Sequence, residues 1–197
     1  MFYILVAMLF LLPTAGFSAE FRPMTDQKNT LVIADFDSWS EINNLGGKFA
    51  AWAKDMNDES QGCKVGITDS ERVGTKGNSI RLMYDVDSPK IAYNGMSINV
   101  MGTDWTPYKY IVLSAKGDEE AGYTPRFKVE LKNKKGQTGI YVLTGLTGDW
   151  KQFALPLAEF QGITRFHQMQ EMTIVFDDMR CNPQVGVIYV DNIYLSQ

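Results

Sequence analysis

Apolar and polar residues alternate with period two along much of the chain after Lys28. Ser79 to Val86 reads SIRLMYDV, so that Ile80, Leu82, Tyr84 and Val86 point one way and Arg81, Met83 and Asp85 the other. Phe127, Val129 and Leu131 alternate in the same manner with Lys128, Glu130 and Lys132. Such alternation sets one side of a strand against a core and the other in water. Thr30 to Phe36 is an apolar, β-branched run, and Tyr110 to Ala115 follows the turn signal Asp104–Trp105–Thr106–Pro107. Gly139 to Thr144, Lys151 to Leu155, Met172 to Phe176 and Val187 to Leu195 complete the predicted strands. The clusters GTKGN, DSPK, KGDEEAG, NKKGQ, LTGD and CNPQ separate them, and such clusters carry turn chemistry. No stretch keeps a helical period. The best helical segment is short, Leu157 to Gln161 after Pro156. Many short strands with frequent turns predict an all-β, antiparallel β-sandwich. With no internal repeat and no linker, residues 30–197 form one domain, and residues 20–29 are an extended leader into it.

The N-terminus is of another kind. Phe2 to Leu12 is an unbroken apolar run, closed by Pro13 and small residues up to Ala19. That is the plan of a secretory signal peptide over residues 1–19, and the run is too short to span a bilayer. No Cys lies near the expected cleavage point, so a lipid anchor is not expected. The chain is therefore expected to be secreted or periplasmic, and soluble once cleaved.

Composition narrows the partners. The 197 residues carry 19 Lys and Arg against 23 Asp and Glu, a net charge of −4, with the signs mixed. The one basic cluster, Lys132, Lys134 and Lys135, sits beside Asn133 and Gly136 and reads as a solvated hairpin turn. Nucleic acid is not an expected partner. Cys63 and Cys181 are the only cysteines. In an oxidising compartment two thiols often pair, and the alternative is two separately buried thiols.

Catalytic signatures are sparse. The single histidine, His167, lies in a predicted loop, and there is no nucleophile elbow, zinc-protease motif or phosphate loop. Paired carboxylates for glycoside hydrolysis would draw on Glu130, with Glu171 or Asp85 as partner. Read as an ordinary strand residue, Glu130 instead pairs with the lysines beside it.

Several features occur together in a familiar order. The first strand ends in Asp35–Phe36–Asp37, and the loop Asn43–Asn44–Leu45–Gly46–Gly47 leads to a strand bearing Phe49 and Trp52. The FKVELK strand follows, then Asp149–Trp150–Lys151–Gln152–Phe153–Ala154–Leu155–Pro156–Leu157 with Phe160, and finally IYVDNIYL to Leu195. Over residues 30–195 this resembles the galactose-binding-like jelly rolls, which include calcium-containing carbohydrate-binding modules. The complex I intermediate-associated proteins, which are interaction proteins, look similar too. Trp150 and Phe160 read as anchors of the sandwich rather than as ligand contacts.

The resemblance implies a structural calcium ion that ties the first strand to the last. The matching carboxylates are Asp35 or Asp37 and Asp191, with backbone carbonyls near Lys48 or Lys76 completing the shell. It also implies a saccharide site, where an aromatic platform stacks on sugar rings and planar polar groups read hydroxyls. Candidates are Arg81, Asp85, Arg126, Lys128 and Glu130 on outward strand faces, joined by Tyr93 and Tyr141, with Trp39 or Trp105 on loops. The leading reading is a non-catalytic module that binds a polysaccharide or oligosaccharide. A protein-interaction or assembly factor built on the same sandwich, with another exported protein as partner, is the alternative. A small glycoside hydrolase or lyase comes third.

Overall fold

The computed structural model describes residues 29–197. The expected signal peptide over residues 1–19 and the expected leader up to Lys28 lie outside the described residues. Eleven strands run in the order β1 Thr30–Ala34, β2 Phe49–Ala53, β3 Gly62–Thr68, β4 Ser79–Asp85, β5 Tyr93–Thr103, β6 Tyr110–Gly117, β7 Arg126–Asn133, β8 Thr138–Thr144, β9 Lys151–Pro156, β10 Met169–Asp177 and β11 Val185–Ser196. One 3₁₀ turn, Leu157–Glu159, follows β9. The strands form two antiparallel sheets, the sandwich that the alternation predicts. One holds β3-β4-β11-β6-β9 with β1 also on β11; the other holds β2-β5-β10-β7-β8.

The inner faces are those that the sequence pattern marks. Ile80, Leu82 and Tyr84 of β4 meet Phe127, Val129 and Leu131 of β7 and Met172, Ile174 and Phe176 of β10 in one buried cluster. Tyr84 stacks on Phe176 across the two sheets, with ring centroids 4.2 Å apart. Its hydroxyl accepts the Thr124 N–H at 2.7 Å and donates to the Pro183 carbonyl at 3.1 Å. The phenol is thus a satisfied polar tip on an apolar body, as burial requires. Phe153, Leu155 and Phe160 are buried as well, which makes the Trp150-to-Phe160 segment a sandwich edge, and Trp150 itself is half-buried.

β1 and β4 lie end to end along the same side of β11. β4 pairs with Val185 to Val190, β1 with Ile193 to Ser196. The hand-over falls at Asp191–Asn192, where the register against β6 also shifts. Asn192 is left-handed there, with φ 50°, and Phe36 just past β1 has φ 56°. An apolar aromatic residue pays a steric penalty in that region, and the turn it makes ends β1 two residues earlier than the apolar run predicts.

The predicted Cys63–Cys181 pairing does not form, and both thiols are free. Cys63 is half-buried on edge strand β3, directly across the ladder from Tyr84. Cys181 is buried in the turn after β10, where its N–H bonds the Asp177 carbonyl at 3.0 Å. Tyr84 neighbours both, since the Cys181 thiol acts electrostatically on its phenol. Burial pushes the Cys63 thiol up to about 12 and the Cys181 thiol up to about 11. Such thiols are poor nucleophiles.

Candidate saccharide face and strand junction

β10 is the middle strand of the five-stranded sheet, so its outward residues lie at the centre of that sheet's outer face. They are Glu171, Thr173, Val175 and Asp177. In register across the ladders, Asp177 is opposite Tyr93, Val175 is opposite Gly95 and Lys128, and Thr173 is opposite Ser97 and Glu130. Trp52 of β2 is opposite Gly95 on its other side. Trp52 and Tyr93 thereby meet edge to face, with centroids 6.0 Å apart at 62°. The Lys54 ammonium lies 5.5 Å from the Tyr93 ring centroid. Gly95 is required at this point, because a Cβ there would collide with the Ile174 carbonyl oxygen.

Beside the aromatic pair runs a stripe of charges. Lys128 Nζ lies 2.9 Å from Glu130 and 3.7 Å from Asp177, and Arg180 reaches the same Asp177 at 3.1 Å. Arg126 Nε donates to the Arg180 carbonyl at 2.9 Å. Each charge in the Glu130–Lys128–Asp177–Arg180 chain meets its opposite, so the guanidinium and carboxylate planes are held in place without a ligand. Ile140 and Val142 of β8 form an exposed aliphatic margin on the far side. Across five strands, spaced about 4.8 Å apart, the face is roughly 19 Å wide.

Among the sequence candidates, the structure gathers Tyr93, Arg126, Lys128 and Glu130 on this face. It separates Arg81 and Asp85 from them, because β4 belongs to the other sheet. Tyr141 is a correction: it is opposite Val129, an inner-face residue, and packs on Phe160 with centroids 5.4 Å apart. Its sequence neighbours alternate too weakly to reveal the side. Trp105 is also corrected, being fully buried with Nε1 donating to Thr103 Oγ1 at 2.8 Å. Trp39 is exposed, on the loop before β2 and off this face. Trp52, Asp177 and Arg180 are additional members. The alternation Thr173, Val175, Asp177 in the continuation of the predicted strand is the signal for Asp177. Glu130 is held by Lys128, and Asp85, on the opposite sheet, is no catalytic partner for it.

The outer face of the six-stranded sheet is closed by its own contacts around Tyr189, while a cleft of about 450 Å³ lined by Met83, Asp85 and Val185 opens toward its β3–β4 end. Tyr189 Oη donates to Asp118 at 2.8 Å, Asp118 accepts the Glu120 and Ala121 N–H groups, and Lys116 pairs with Glu71 at 2.8 Å. These N–H groups, the Ala121 one above all, hold the Asp118 carboxyl below its usual range against its own burial. Tyr189 is only 6% exposed, against 39% for Tyr93.

The β1–β4–β11 junction brings the predicted metal carboxylates into one neighbourhood. Asp191 is buried and accepts N–H bonds from Val73 at 2.9 Å and Asn192 at 2.7 Å. Asp37 accepts the Asn78 N–H at 3.1 Å, and Asp35 is bonded by the Asn44 side chain at 2.7 Å. Burial pushes the Asp191 carboxyl up to about 7, and the negative charges of Asp37 and Asp35 push the same way. No cationic side chain pairs with Asp191 among the described residues. Nor do three acidic, Cys or His side chains converge there as a cluster. A buried, uncompensated carboxylate among oxygen donors fits a hard cation that also takes backbone carbonyls.

No family model matches the chain, and no curated protein sequence does. Solved structures do. The chain is similar to the family 11 carbohydrate-binding module from Clostridium thermocellum in complex with a β-1,3-1,4-mixed-linked tetrasaccharide. The two share 17% identity and a TM-score of 0.63 over 85% of this chain and 95% of that one. A family 30 carbohydrate-binding module is similar at 12% identity and a TM-score of 0.55, over 86% and 88%. The CBM22-1 xylan-binding domain from Paenibacillus barcinonensis Xyn10C is similar at 12% and 0.50, over 84% and 92%. At these identities the likeness shows the fold alone, an antiparallel two-sheet β-sandwich.

Proposed function

We propose that the protein is an exported, non-catalytic carbohydrate-binding module that holds a neutral polysaccharide or oligosaccharide across the outer face of its five-stranded sheet. The observation that carries this reading is the placement of Trp52 and Tyr93 beside Asp177, Lys128, Glu130, Arg126 and Arg180 on one face. An exposed aromatic edge suits the apolar face of a sugar ring, and the mutually neutralised charges suit hydroxyls rather than a charged ligand. The shared fold with a module bound to a β-1,3-1,4-mixed-linked tetrasaccharide and with a xylan-binding domain supports the same reading. Export is supported by the apolar run Phe2 to Leu12.

The test is affinity electrophoresis of the folded protein on soluble mixed-linkage β-glucan, xylan and mannan, followed by titration with a mixed-linked tetrasaccharide. Retardation on at least one glycan is expected, and its loss in Tyr93→Ala. No binding to any polysaccharide, together with stoichiometric capture of one exported protein, would replace this reading with the assembly-factor one.

The same proposal includes a structural calcium ion at the β1–β4–β11 junction. Asp191 and Asp37 would hold it, with Asp35 adjacent and backbone oxygens of the residue 69–78 loop completing the shell. Its contribution would be to neutralise the Asp191 charge and tie the first strand to the last.

A further inference from the structure

Away from both sites, one end of the sandwich carries a cleft of about 490 Å³, within the size range of small-molecule sites. It lies where the β5–β6 connection, the end of β9 with its 3₁₀ turn, and residues 164–167 before β10 come together. Tyr108, Tyr110, Pro156 and Phe166 supply an apolar wall, and Lys109 and Arg165 complete it.

The charge of this cleft runs against that of the chain. The chain is acidic, with a net charge of −4, yet no acidic side chain lines the cleft. Lys109 and Arg165 are exposed and make no ion pair among the described residues. The nearby Asp104 is engaged at the rim, where its carboxylate accepts from Thr106 and lies 3.3 Å from His167 Nδ1, both of which line the cleft, and it pairs with neither Lys109 nor Arg165.

The walls are rigid before any ligand arrives. The Lys109 carbonyl accepts the Leu157 N–H at 2.8 Å, and the Lys109 N–H bonds the Ser196 carbonyl at 2.8 Å. The Arg165 carbonyl accepts from the buried Asn133 side chain at 2.8 Å. Fully buried Trp105 clamps the two loops together, its N–H on the Phe166 carbonyl at 2.9 Å. Fixed loops lower the ordering cost of binding. Two cations that no group among the described residues neutralises are therefore presented beside exposed ring surface, in contrast to Lys128 and Arg180 on the sheet face, which are already paired.

We infer that this cleft is a second saccharide site, selective for a sugar residue that carries a carboxylate or a sulfate. The ring would lie on Tyr110 and Pro156, and Lys109 and Arg165 would take the anion. The saccharide class rests on the proposed carbohydrate-binding function; the anionic preference rests on the cleft alone.

The test is calorimetric titration of the full protein with three probes: an oligogalacturonate, a sulfated galactan oligosaccharide and the neutral mixed-linked tetrasaccharide. At least one anionic probe should bind. Its affinity should fall about tenfold or more in Lys109→Ala/Arg165→Ala, the scale of losing charge-assisted contacts, and fall in Tyr110→Ala. It should also weaken as ionic strength rises from about 0.01 M to about 0.15 M, where the screening length drops from about 30 Å to about 8 Å. Tyr93→Ala should leave it unchanged. Which anionic probe binds identifies carboxylate or sulfate as the anion. Failure of both anionic probes with folded protein, or binding that survives the double substitution, overturns the inference. Equal binding of polyglutamate, lost in the same double variant, overturns the saccharide class. The neutral probe with Tyr93→Ala reports on the sheet face separately, so either site can fail without the other.

Discussion

The two outer faces of this sandwich are built by the same period-two alternation, and they differ in what their polar groups do. On the six-stranded side, Tyr189, Asp118, Lys116 and Glu71 satisfy one another, and the aromatic ring is covered. On the five-stranded side the charges are paired as well, but Tyr93, with half-buried Trp52 packed against it, stands beside them with ring surface open to solvent. Around Tyr189 both the hydrogen bonds and the apolar area are spent and little is left for a ligand, although the β3–β4 end of that sheet keeps a cleft of about 450 Å³ lined by Met83, Asp85 and Val185. A face that has ordered its charges while leaving apolar area exposed is prepared for one. The six-stranded sheet instead holds the seam where the chain's first strand meets its last, so its demands are structural.

If this division is right, the largest effect falls on the seam and leaves the saccharide face alone. A ligand bound only by the folded state contributes about 2.7 kcal/mol at one hundred times its dissociation constant. Chelator should therefore lower the melting temperature by roughly 5–10 °C for a domain of this size. Calcium should restore it and magnesium should not, because magnesium demands a tighter octahedral shell. Asp191→Ala should lose the calcium response. Identical melting curves with calcium and with chelator would remove the ion from the seam.

Asp191 also sets a pH dependence. Its folded value of about 7 lies above the ordinary 3.8, so between them the metal-free folded state binds more protons than the unfolded chain. Stability in chelator should then fall as pH rises from about 4 to about 7. Since calcium binds the ionised carboxylate, its stabilisation should grow over the same interval. Denaturant melts at several pH values, with and without calcium, measure both slopes.

Tyr93→Ala bears on the opposite face. It should weaken glycan binding by about tenfold to a hundredfold, the 1.4–2.8 kcal/mol typical of an interface anchor, with little change in melting. Asp177→Ala removes the acceptor shared by Lys128 and Arg180. A several-fold loss of affinity is expected, with about 1–3 kcal/mol of stability, read by titration and by denaturant melts. Equal glycan affinity in both variants would move the site off this face. The smallest effect belongs to Arg81→Ala, beside Tyr189 on the six-stranded sheet. It should leave glycan affinity unchanged and stability within about 1 kcal/mol; a large loss of binding there would invert the comparison.

Much of the fold is written in local pattern. The strands around Ile80, Val129, Val112 and Val190 alternate or run apolar, and they appear where the pattern places them. β5, Tyr93–Thr103, is less legible, because Gly95 and the polar Asn94, Ser97 and Asn99 dilute its alternation. Asn94 is nonetheless fully buried, its side-chain amide donating to the Asp85 carbonyl at 2.6 Å, a contact made only by the folded chain. β3 carries Gly62 and Gly66 and pairs only with β4.

What the sequence by itself determined is which side of most strands faces water: Lys128 and Glu130 had to point away from Val129, and Arg81 away from Leu82. Only the tertiary structure decided which outward residues share a surface. Strand order is non-sequential, so β10 inserts between β5 and β7 and places Asp177 next to both Tyr93 and Lys128, while β4 joins the other sheet and carries Arg81 and Asp85 away. The same holds for Cys63 and Cys181, both beside Tyr84 yet unpaired, and for Asp191, whose burial beside Asp37 exists only because β1 and β4 meet along β11. Alternation is a property of neighbouring peptide units, so it survives in the sequence. Adjacency of strands is chosen by the free energy of the whole core, and no short window of residues records it.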